Sequence, residues 1–469
     1  MKQAAPSDRS WALWPAHAWR KRGVHVAFAA GLGLALVFLL SAAVAAARPA
    51  GPNSPASGVV IVQSGDHDLV ARPITFTAPV SGLRALELSG LKVITASFGW
   101  GTAVCSIEGV GCPAQNCFCD SNTSWNNNYW DGNAWQIYQV GAEQSVVNDG
   151  AVEGWRWGGW GAAMWPARPV TAALQALDWL RPLQSPADGG YGGESGSAEA
   201  LLSIGANGYP ADAWRRQPGA PSLAGYWLGR AQSYSSAGAA EAAKLAVGAL
   251  ATDICWPRNA VRPSAYYSET AGAYGFGAGR QAWAILGTAA LSETVPAQAT
   301  QVLKDLAEPN GGWKWQPSPA VMFPHADTNT TALALQALIA AGEPRTSTVV
   351  TQGLAYLKSA QNADGGFPWD PLDPSKSASD AHSTSYVLQA LLAAGQDPAS
   401  VDWSRGQNNP ISYLLSLQLP DGSFERFKGW GADQLATWQA VVALLGRTFP
   451  LRVAQPRWCS ASYLPIVSR

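Results

Sequence analysis

A short segment that ends in a glycine turn and an aromatic residue occurs four times in this chain. The copies read QSPADGGY (184–191), EPNGGW (308–313), QNADGGF (361–367) and QLPDGSF (418–424). The last three aromatic residues are 54 and 57 residues apart, and 122 residues separate the first from the second. A period of about 50 residues is typical of stacked helical hairpins, each with an outer helix, a glycine turn and an inner helix. We expect one diverged copy within the long interval.

A second motif recurs in register with the first and precedes each apolar run. It reads DTNTT (327–331), DAHST (380–384) and DQLAT (433–437), at a spacing of 53 residues. Asp at a helix N-cap accepts backbone N–H groups and contributes about 1 kcal/mol, so the recurrence has a structural explanation. In a ring of parallel inner helices the same residues would also line one mouth, where helix N-termini favour anionic or amide-bearing ligands.

The helical patterns predict a closed ring. Eleven candidate helices cover 170–183, 195–206, 222–235, 238–252, 278–291, 297–307, 327–342, 347–361, 380–395, 409–418 and 431–447. Eleven helices are close to six hairpins, and a closed ring avoids the polar end caps that an open array needs. We therefore predict a mainly α chain, an (α/α)6 toroid of helical hairpins over 169–450 that is preceded by a small α+β domain at 59–165. The tail, 451–469, reads as irregular.

The first domain shows short strand signals around one short helix. Strands are expected at 59–62, 91–95, 135–138 and 152–157, a helix at 83–88, and an Asn- and Trp-rich loop at 121–132. We expect Trp125, Trp130 and Trp135 to be exposed for contact with a ligand.

Residues 1–47 have the pattern of an export signal. Three basic residues at 20–22 precede an apolar stretch at 24–40, and small residues follow at 41–47. Because this stretch is long for a signal peptide, an uncleaved membrane anchor is the alternative. A Pro/Gly/Ser linker follows at 48–58. We expect the remainder to be extracellular or at the cell surface, with membrane contact only through this segment.

The composition argues against one class of partner and predicts the oxidation state of the cysteines. With 31 Lys and Arg against 32 Asp and Glu, and no basic stripe, nucleic acid is not expected as a partner. An even number of cysteines in an exported chain predicts disulfides, here among Cys105, Cys112, Cys117, Cys119, Cys255 and Cys459. A 255–459 bond would tie the tail to the ring. Zinc in the 105–119 cluster is a weaker alternative, because the cluster lacks paired C-x2-C elements and a nearby His.

The glycine–aromatic turns and their preceding Gln resemble the repeats of the α/α-toroid superfamily. That superfamily includes squalene and hopene cyclases, protein prenyltransferase β subunits, and the cobalamin carriers transcobalamin and intrinsic factor. The resemblance covers residues 170–447. It implies the fold, but the same fold serves several activities.

The first domain resembles the small β domain of the cobalamin carriers. The similarity is carried by 83–88, 90–93, 103–109, 129–130, 135 and 149–154. In those carriers the β domain follows the toroid and the corrinoid lies between the two domains. Here the order is reversed, which leaves the geometry of the interface open. The resemblance implies cobalamin as a candidate ligand, and no other cofactor is indicated.

Enzymatic members of the superfamily require motifs that this chain lacks in part. Terpene cyclases protonate an alkene with a clustered Asp-x-Asp-Asp, and the nearest match, His325-Ala-Asp327-Thr328, keeps only the middle acid. Zinc prenyltransferases need a Cys where this chain has Asn329. A glycoside hydrolase needs two carboxylates across a cleft. For that alternative, the three motif aspartates would face one cavity, and Trp313, Trp369 and Trp438 would stack on sugars.

We predict an exported protein that binds a small ligand without catalysis, in the toroid cavity or at the domain interface. The predicted contact residues are His325, Asp327, Thr331, Asp380, His382, Thr384, Asp433, Trp130 and Trp135. No metal ligands are proposed. One alternative is an isoprenoid cyclase with Asp327 as its catalytic acid. Another is a structural cell-surface module that binds no small molecule.

Overall fold

The structure, a computed structural model, describes residues 55–77, 79–316, 324–451 and 459. They belong to one compact unit that runs from Gly51 to Arg469, so a chain that starts at Gly51 keeps every contact reported below. Within these ranges, no helix combines the length and the apolarity that a membrane span needs. The predicted export segment lies outside the described residues.

A β-rich region, residues 56–158, precedes the helices. Its elements are β1 (Ala56–Gly65), β2 (Asp68–Phe76), α1 (Gly82–Leu88), β3 (Val93–Phe98), β4 (Gly101–Ile107), β5 (Val110–Gly111), β6 (Ser124–Trp130), β7 (Trp135–Ile137) and β8 (Ala151–Gly158). One sheet has the strand order β2-β1-β8-β6-β7, and a second has the order β3-β4-β5. The sheet content is larger than the sequence predicted.

Strand β1 is apolar on both faces because the two faces meet different cores. Val60 and Val62 point into the core of the β-rich region. Ile61, and Leu69 and Ala71 of β2, belong instead to the core of the helical part. Successive side chains of a strand point to opposite faces, so a sheet that lies between two cores has apolar residues at consecutive positions.

Strand β6 occupies most of the stretch that was predicted as an Asn- and Trp-rich loop, so that prediction is wrong. Asn126 and Asn128 are buried. The amide of Asn126 donates to the carbonyl oxygens of Arg156 and Gly158 of β8, at 3.3 and 3.1 Å. Amide side chains that are satisfied in this way can occupy a buried strand, although their composition is more typical of turns.

All six cysteines form disulfides, as the even count predicted. The bonds are Cys105–Cys117, Cys112–Cys119 and Cys255–Cys459. The four clustered sulfurs are therefore not available to zinc, which rules out that alternative. The third bond holds Cys459 of the tail beside the residues that follow the fifth helix.

All eleven predicted helices are present. They are α2 (Ala167–Leu180), α3 (Glu194–Ala206), α4 (Leu223–Ser235), α5 (Ala239–Ala251), α6 (Ala278–Ala290), α7 (Ala297–Asp305), α8 (Thr328–Ala340), α9 (Thr348–Ala360), α10 (Ala381–Ala393), α11 (Pro410–Ser416) and α12 (Gln434–Leu444). Six inner helices, α3, α5, α6, α8, α10 and α12, contact one another in a closed cycle, because α12 meets α3. The helical part is a ring of the α/α-toroid type.

The interval between the first two sequence motifs holds two inner helices, α5 and α6, and not the single diverged copy that we expected. The outer helix that would precede α6 is reduced to one 3-10 turn, Pro263–Tyr266. Tyr274 occupies the place of the aromatic residue before α6. Two short hairpins therefore fit into 122 residues.

The inner helices run parallel and give the ring two different ends. The N–H of Thr328 donates to the carbonyl of Trp369, and the N–H of Ala381 donates to that of Arg426. Each helix start thus meets the loop before the next inner helix, which defines the N-terminal end of the ring. At the C-terminal end, Asn207 exchanges two hydrogen bonds with the backbone of Ala71 in β2, at 2.7 and 3.0 Å.

Candidate functional site

The three motif aspartates are N-caps of α8, α10 and α12. One carboxylate oxygen of Asp327 accepts the N–H of Thr330 at 2.7 Å, and the other accepts its hydroxyl at 2.8 Å. Asp380 makes the same two bonds with Ser383, at 2.9 and 2.8 Å. Asp433 accepts one backbone N–H, at 2.8 Å. The carboxylates of Asp327 and Asp380 are therefore used at both oxygens within the first turn of their own helices.

The fourth residue of five inner helices fixes the aromatic turn before it. Its side-chain oxygen accepts the backbone N–H of the aromatic residue, and the pairs are Ser197 with Tyr191, Gln281 with Tyr274, Thr331 with Trp313, Thr384 with Phe367 and Thr437 with Phe424, at 2.9–3.0 Å. The aromatic rings are buried between hairpins. The hydroxyls of Thr331 and Thr384, which the sequence proposed as ligand contacts, thus serve the repeat itself.

Burial raises the pKa of the Asp327 carboxyl to about 7, against the opposing effect of its hydrogen bonds with Thr330. Such a pKa suits an acid catalyst in principle. However, the carboxyl is buried, and a ligand could reach it only if the cap opened. The neighbouring carboxyl of Asp370 lies 3.0 Å from Nδ1 of His325. The described residues therefore place one capped and one paired carboxyl here, and not a clustered acid motif.

The second residue of two inner helices, α10 and α6, contacts a neighbouring element. In α10 this residue is His382, whose Nδ1 lies 2.7 Å from Oε1 of Gln439 in α12. In α6 it is Gly279, where a Cβ would come within 2.0 Å of the Trp315 ring. Its equivalent in α8 is Asn329, two residues after the capping aspartate. Sequence reasoning centred on Asp327 missed this position, although the helical period relates residues two and six of each inner helix.

Side chains from the sixth positions fill the middle of the ring. Glu199 and Lys244 form a buried ion pair at 2.7 Å, and the Lys244 ammonium lies 5.1 Å from the centre of the Trp283 ring. The Trp283 ring lies 5.2 Å from that of Phe449, which follows α12. The N–H of Phe449 donates to Gln336 of α8 at 2.8 Å. Phe449 thus closes the interior from the C-terminal end.

Aromatic side chains surround the N-terminal end of the ring. Trp315 and Trp369 are partly exposed in the loops before α8 and α10, and Phe276 and Trp430 are largely exposed before α6 and α12. Between the inner helices, Asn329, Tyr386 and Gln439 are partly exposed, whereas His382 is buried. We define the mouth site as Trp315, Trp369, Asn329, His382, Tyr386 and Gln439. Its polar groups are two amides, an imidazole and a phenol.

The other predicted residues do not join the mouth site. Trp125 is buried in the core of the β-rich region, so the prediction that it is exposed is wrong. His325 pairs with Asp370, and it shares no partner with His382 among the described hydrogen bonds. Trp135 donates its indole N–H to the carbonyl of Trp165 at 2.8 Å and stacks edge-on with Trp130. Both lie at the C-terminal end, because the indole of Trp165 itself donates to the carbonyl of Leu444, the last residue of α12.

The sugar-stacking and metal alternatives also find little support. Trp313 and Trp438 are buried and so cannot stack on a sugar, which corrects that expectation; only Trp369 is partly exposed. Within the ranges that the structure describes, no three His, Cys, Asp or Glu side chains are arranged to hold a metal ion.

The predicted domain interface contains a groove of about 600 Å³ between the β-rich region and the ring. Its walls include Val70, Ile107 and Leu250, with Arg72 and Arg447 among its polar residues. Both arginines have structural partners, because Arg72 donates to the carbonyls of residues 207 and 208 and Arg447 donates to Asp68. Trp130 and Trp135 do not line this groove. A second groove, of about 780 Å³, lies outside the ring beside α11.

The comparisons with known proteins agree with the ring. The Prenyltransferase alpha-alpha toroid domain family matches residues 279–375 and 355–446, which span α6 to α12. The matched residues lie within the helical part of the chain. Drimenyl diphosphate synthase from Streptomyces showdoensis is 31% identical over 157 residues, which are 32% of this chain and 26% of that protein. The match therefore spans about a quarter of the relative's length.

Solved structures align more broadly but weakly. A type II terpene cyclase from Scytonema covers 60% of this chain and 96% of its own, at 14% identity and a TM-score of 0.39. An ent-copalyl diphosphate synthase from Streptomyces platensis covers 59% and 50%, at 19% identity and 0.31. A family 88 glycosyl hydrolase from Bacteroides vulgatus covers 58% and 98%, at 10% identity and 0.35. Scores at this level do not define a common function. The resemblance of the first domain to cobalamin carriers stays a prediction.

Proposed function

We propose that this chain is an exported, non-catalytic binding protein that takes a small, uncharged, hydrogen-bonding ligand at the mouth site. One observation carries the proposal: on α8 and α10 the aspartates are used as helix caps, while the second residues of these helices are Asn329, which is partly exposed, and His382, which pairs with Gln439 of α12. An amide has no acidic proton to give to an alkene. It offers one acceptor and two donors, which suit recognition.

The composition of the mouth site supports a neutral ligand. Binding sites for small molecules combine aromatic walls with a few polar groups that fix the orientation of the ligand. Trp315 and Trp369 supply the walls, and Asn329, Tyr386 and Gln439 supply the polar groups. Among the adjacent charged groups, Asp327, Asp370 and Glu199 have partners within the fold, and so does Lys376, which pairs with Asp373 and lies 4.9 Å from the centre of the Trp369 ring. A charged ligand would therefore find no free counter-charge among these residues.

The filled interior argues against a long apolar substrate. A polyprenyl chain needs a dry apolar cavity, whereas the space between α3, α5 and α6 holds the Glu199–Lys244 pair and the Trp283 ring. A divergent isoprenoid cyclase remains the second candidate because of the 31% identity to drimenyl diphosphate synthase. Its catalytic acid would be Asp327, and the N-cap of α8 would have to open during each turnover.

Export is proposed from the basic and apolar pattern of residues 1–47 and from the three disulfides. Cobalamin is a suitable neutral probe, because it carries uncharged amide side chains. Squalene and farnesyl diphosphate are suitable probes for the cyclase alternative.

The test uses residues 51–469 with calorimetry and absorbance for cyanocobalamin and cobinamide, and with product analysis by mass spectrometry for the two isoprenoids. We expect binding of a neutral amide-bearing probe that falls at least about tenfold in Asn329→Leu and Gln439→Leu, since losing a buried hydrogen bond costs about 1–3 kcal/mol. Asp327→Asn should leave that binding unchanged. A cyclic isoprenoid product that disappears in Asp327→Asn would establish the cyclase instead. No binding of either corrinoid at about 100 μM, an affinity limit near 5 kcal/mol, would remove corrinoids.

A further inference from the structure

The hairpin that joins β3 and β4 carries a cluster of exposed aromatic side chains. Phe98, Trp100 and Phe118 are 38%, 63% and 52% exposed. The rings of Phe98 and Trp100 stack at 5.2 Å with only 4° between their planes, and Phe118 lies 5.5 Å from Phe98 and 6.3 Å from Trp100. We call these three residues the aromatic tip. None of them belongs to the core of the β-rich region as the structure describes it.

Two disulfides hold the aromatic tip in this exposed position. Phe118 stands between Cys117 and Cys119, which bond to Cys105 of β4 and to Cys112. A free loop would bury three large aromatic rings at the first opportunity, because contiguous exposed apolar groups are costly in water. The cross-links at Cys117 and Cys119 restrain the segment that carries Phe118 beside the hairpin that carries Phe98 and Trp100. The aromatic tip is therefore available to a partner outside the chain.

The aromatic tip lies at the end of the β-rich region that points away from the ring. Strand β4 runs from the tip at Gly101 to Ile107, which lines the groove against the ring. Strand β1 also runs toward the ring. Gln63, near its C-terminal end, accepts the N–H of Trp165 at 2.8 Å, and Trp165 in turn contacts the end of α12. The start of β1 therefore also lies at the far end. The chain enters the folded unit at the end that carries the tip.

Charge around the aromatic tip excludes anionic partners. No Lys or Arg occurs between residues 93 and 155. Two acids lie beside the tip in the sequence or by contact: Glu143 accepts the N–H of Thr102 at 3.0 Å, and Asp120 follows the cross-linked loop. Hydrogen bonds lower the pKa of both carboxyls, so both are ionised at neutral pH. Anionic lipid, acidic glycan and nucleic acid would all be repelled.

We propose that the aromatic tip inserts into the headgroup boundary of an electrically neutral lipid bilayer and holds the β-rich region at a membrane surface. Trp and Phe side chains favour this boundary, where rings are desolvated and polar edges stay hydrated. The entry of the chain supports a bilayer over a neutral polysaccharide. An apolar stretch at 24–40 precedes the folded unit. The 15 residues at 41–55 can span at most about 50 Å, so a membrane that holds this stretch lies within reach of the tip.

The experiment measures sedimentation of residues 51–469 with pure phosphatidylcholine vesicles, at low and at high salt. We expect binding that salt does not change, because no charge attraction contributes to it. The triple variant Phe98→Ser, Trp100→Ser, Phe118→Ser should lower the partition coefficient at least about tenfold, since burying even part of one large ring is worth about that factor. The matched control is Trp160→Ser, Trp430→Ser, which removes two rings of 73% and 74% exposure elsewhere. It should bind like the parent.

Three outcomes would overturn the proposal. The first is equal vesicle binding by the triple variant and the parent. The second is binding that requires anionic lipid. The third is no vesicle binding; retention on insoluble cellulose or chitin that the triple variant loses would then assign the aromatic tip to a neutral glycan. Because the exchanged side chains are exposed, the variants should fold, and mass spectrometry of the three disulfides checks this.

Discussion

The two ends of the ring are built from the same six helices but differ in how their polar groups are used. At the C-terminal end, Asn207 and Trp165 bond to backbone groups of neighbouring elements, and Phe449 closes the interior. At the N-terminal end, the helix caps are satisfied locally, and Asn329 and Gln439 stay partly accessible beside aromatic loops. Polar groups at the C-terminal end are thus explained by folding alone. At the N-terminal end, Asn329 and Gln439 each have one partner within the fold but remain partly exposed, and this is why we assign ligand binding there.

The largest effect that separates the ends is expected from Trp283→Ala. The variant removes the ring that packs on Phe449 and lies beside Lys244 in the interior. Loss of a buried Trp typically costs about 3–5 kcal/mol through the transfer of apolar area and the remaining cavity. Urea denaturation followed by circular dichroism gives the free energy of unfolding. Trp430→Ala is the matched control at the N-terminal end and should change it by less than about 0.5 kcal/mol. Equal losses in the two variants would contradict the difference between the ends.

The second prediction concerns the junction of ring and β-rich region. Asn207 is buried and satisfies both the N–H and the C=O of Ala71. Asn207→Ala leaves these two backbone groups without their partner, which should cost about 2–4 kcal/mol. Differential scanning calorimetry measures the loss as a lower Tm. The control, Asn259→Ala, removes an exposed side chain whose bond to Gln232 is also exposed, and it should be nearly silent. A silent Asn207→Ala would show that the junction adds little to stability.

The third prediction separates capping from acid catalysis at Asp327. Asp327→Ala should cost about 1–2 kcal/mol, the usual value of an N-cap. Asp327→Asn should cost less than about 0.5 kcal/mol, because Asn caps equally well. Urea denaturation of both variants at pH 7 measures the two costs. A large loss of stability in the Asn variant would mean that the negative charge itself is required.

The same residue makes a pH-dependent contribution with a definite sign. Its folded-state pKa, about 7, is above the ordinary value of 3.8, so the folded state holds a proton that the unfolded state has released. Its contribution to stability is therefore full below pH 4 and is lost as the pH rises through 7. Asp327→Asn should flatten this part of the stability curve. Burial also raises the pKa of the Glu153 carboxyl to about 7. The contribution of Glu153 to the pH dependence of stability is therefore expected in both the parent and the Asp327→Asn variant.

The sequence predicted the ring well because its signals are local and repeated. The aspartate caps and the glycine–aromatic turns mark helix boundaries residue by residue, and all eleven helices followed from them. The site was harder to predict. Inner helices are apolar on nearly every side, so their pattern hides which face points across the ring. The filled interior depends on Glu199, Lys244 and Phe449, which are distant in sequence, and only the folded chain brings them together.

The first domain shows the same limit. Trp130 and Trp135 are conspicuous in the sequence, but they pack at the C-terminal end of the ring. Three exposed aromatic residues, Phe98, Trp100 and Phe118, instead form a cluster elsewhere in this domain. The segment FGWG at 98–101 has the pattern of a hairpin turn that carries aromatic residues. This pattern was the signal in the sequence from which an exposed aromatic cluster could have been predicted. Phe118 becomes part of the cluster only through the disulfide pairing, which spacing alone does not determine.

The smallest expected effect tests the mouth site directly. His382 and Gln439 approach to 2.7 Å across neighbouring inner helices, and Gln439 is partly accessible. A double-mutant cycle with His382→Ala and Gln439→Ala should give a coupling energy of about 1 kcal/mol, the usual value for one partly buried hydrogen bond. The single variants should leave the Trp283 and Asn207 contacts intact, so their stabilities should fall less than those of the C-terminal variants. If His382 and Gln439 are kept for a ligand, both single variants should weaken probe binding by more than they lower stability. A coupling energy of several kcal/mol would instead mean that His382 and Gln439 serve the stability of the fold. The two ends of the ring would then differ only in how exposed their polar groups are.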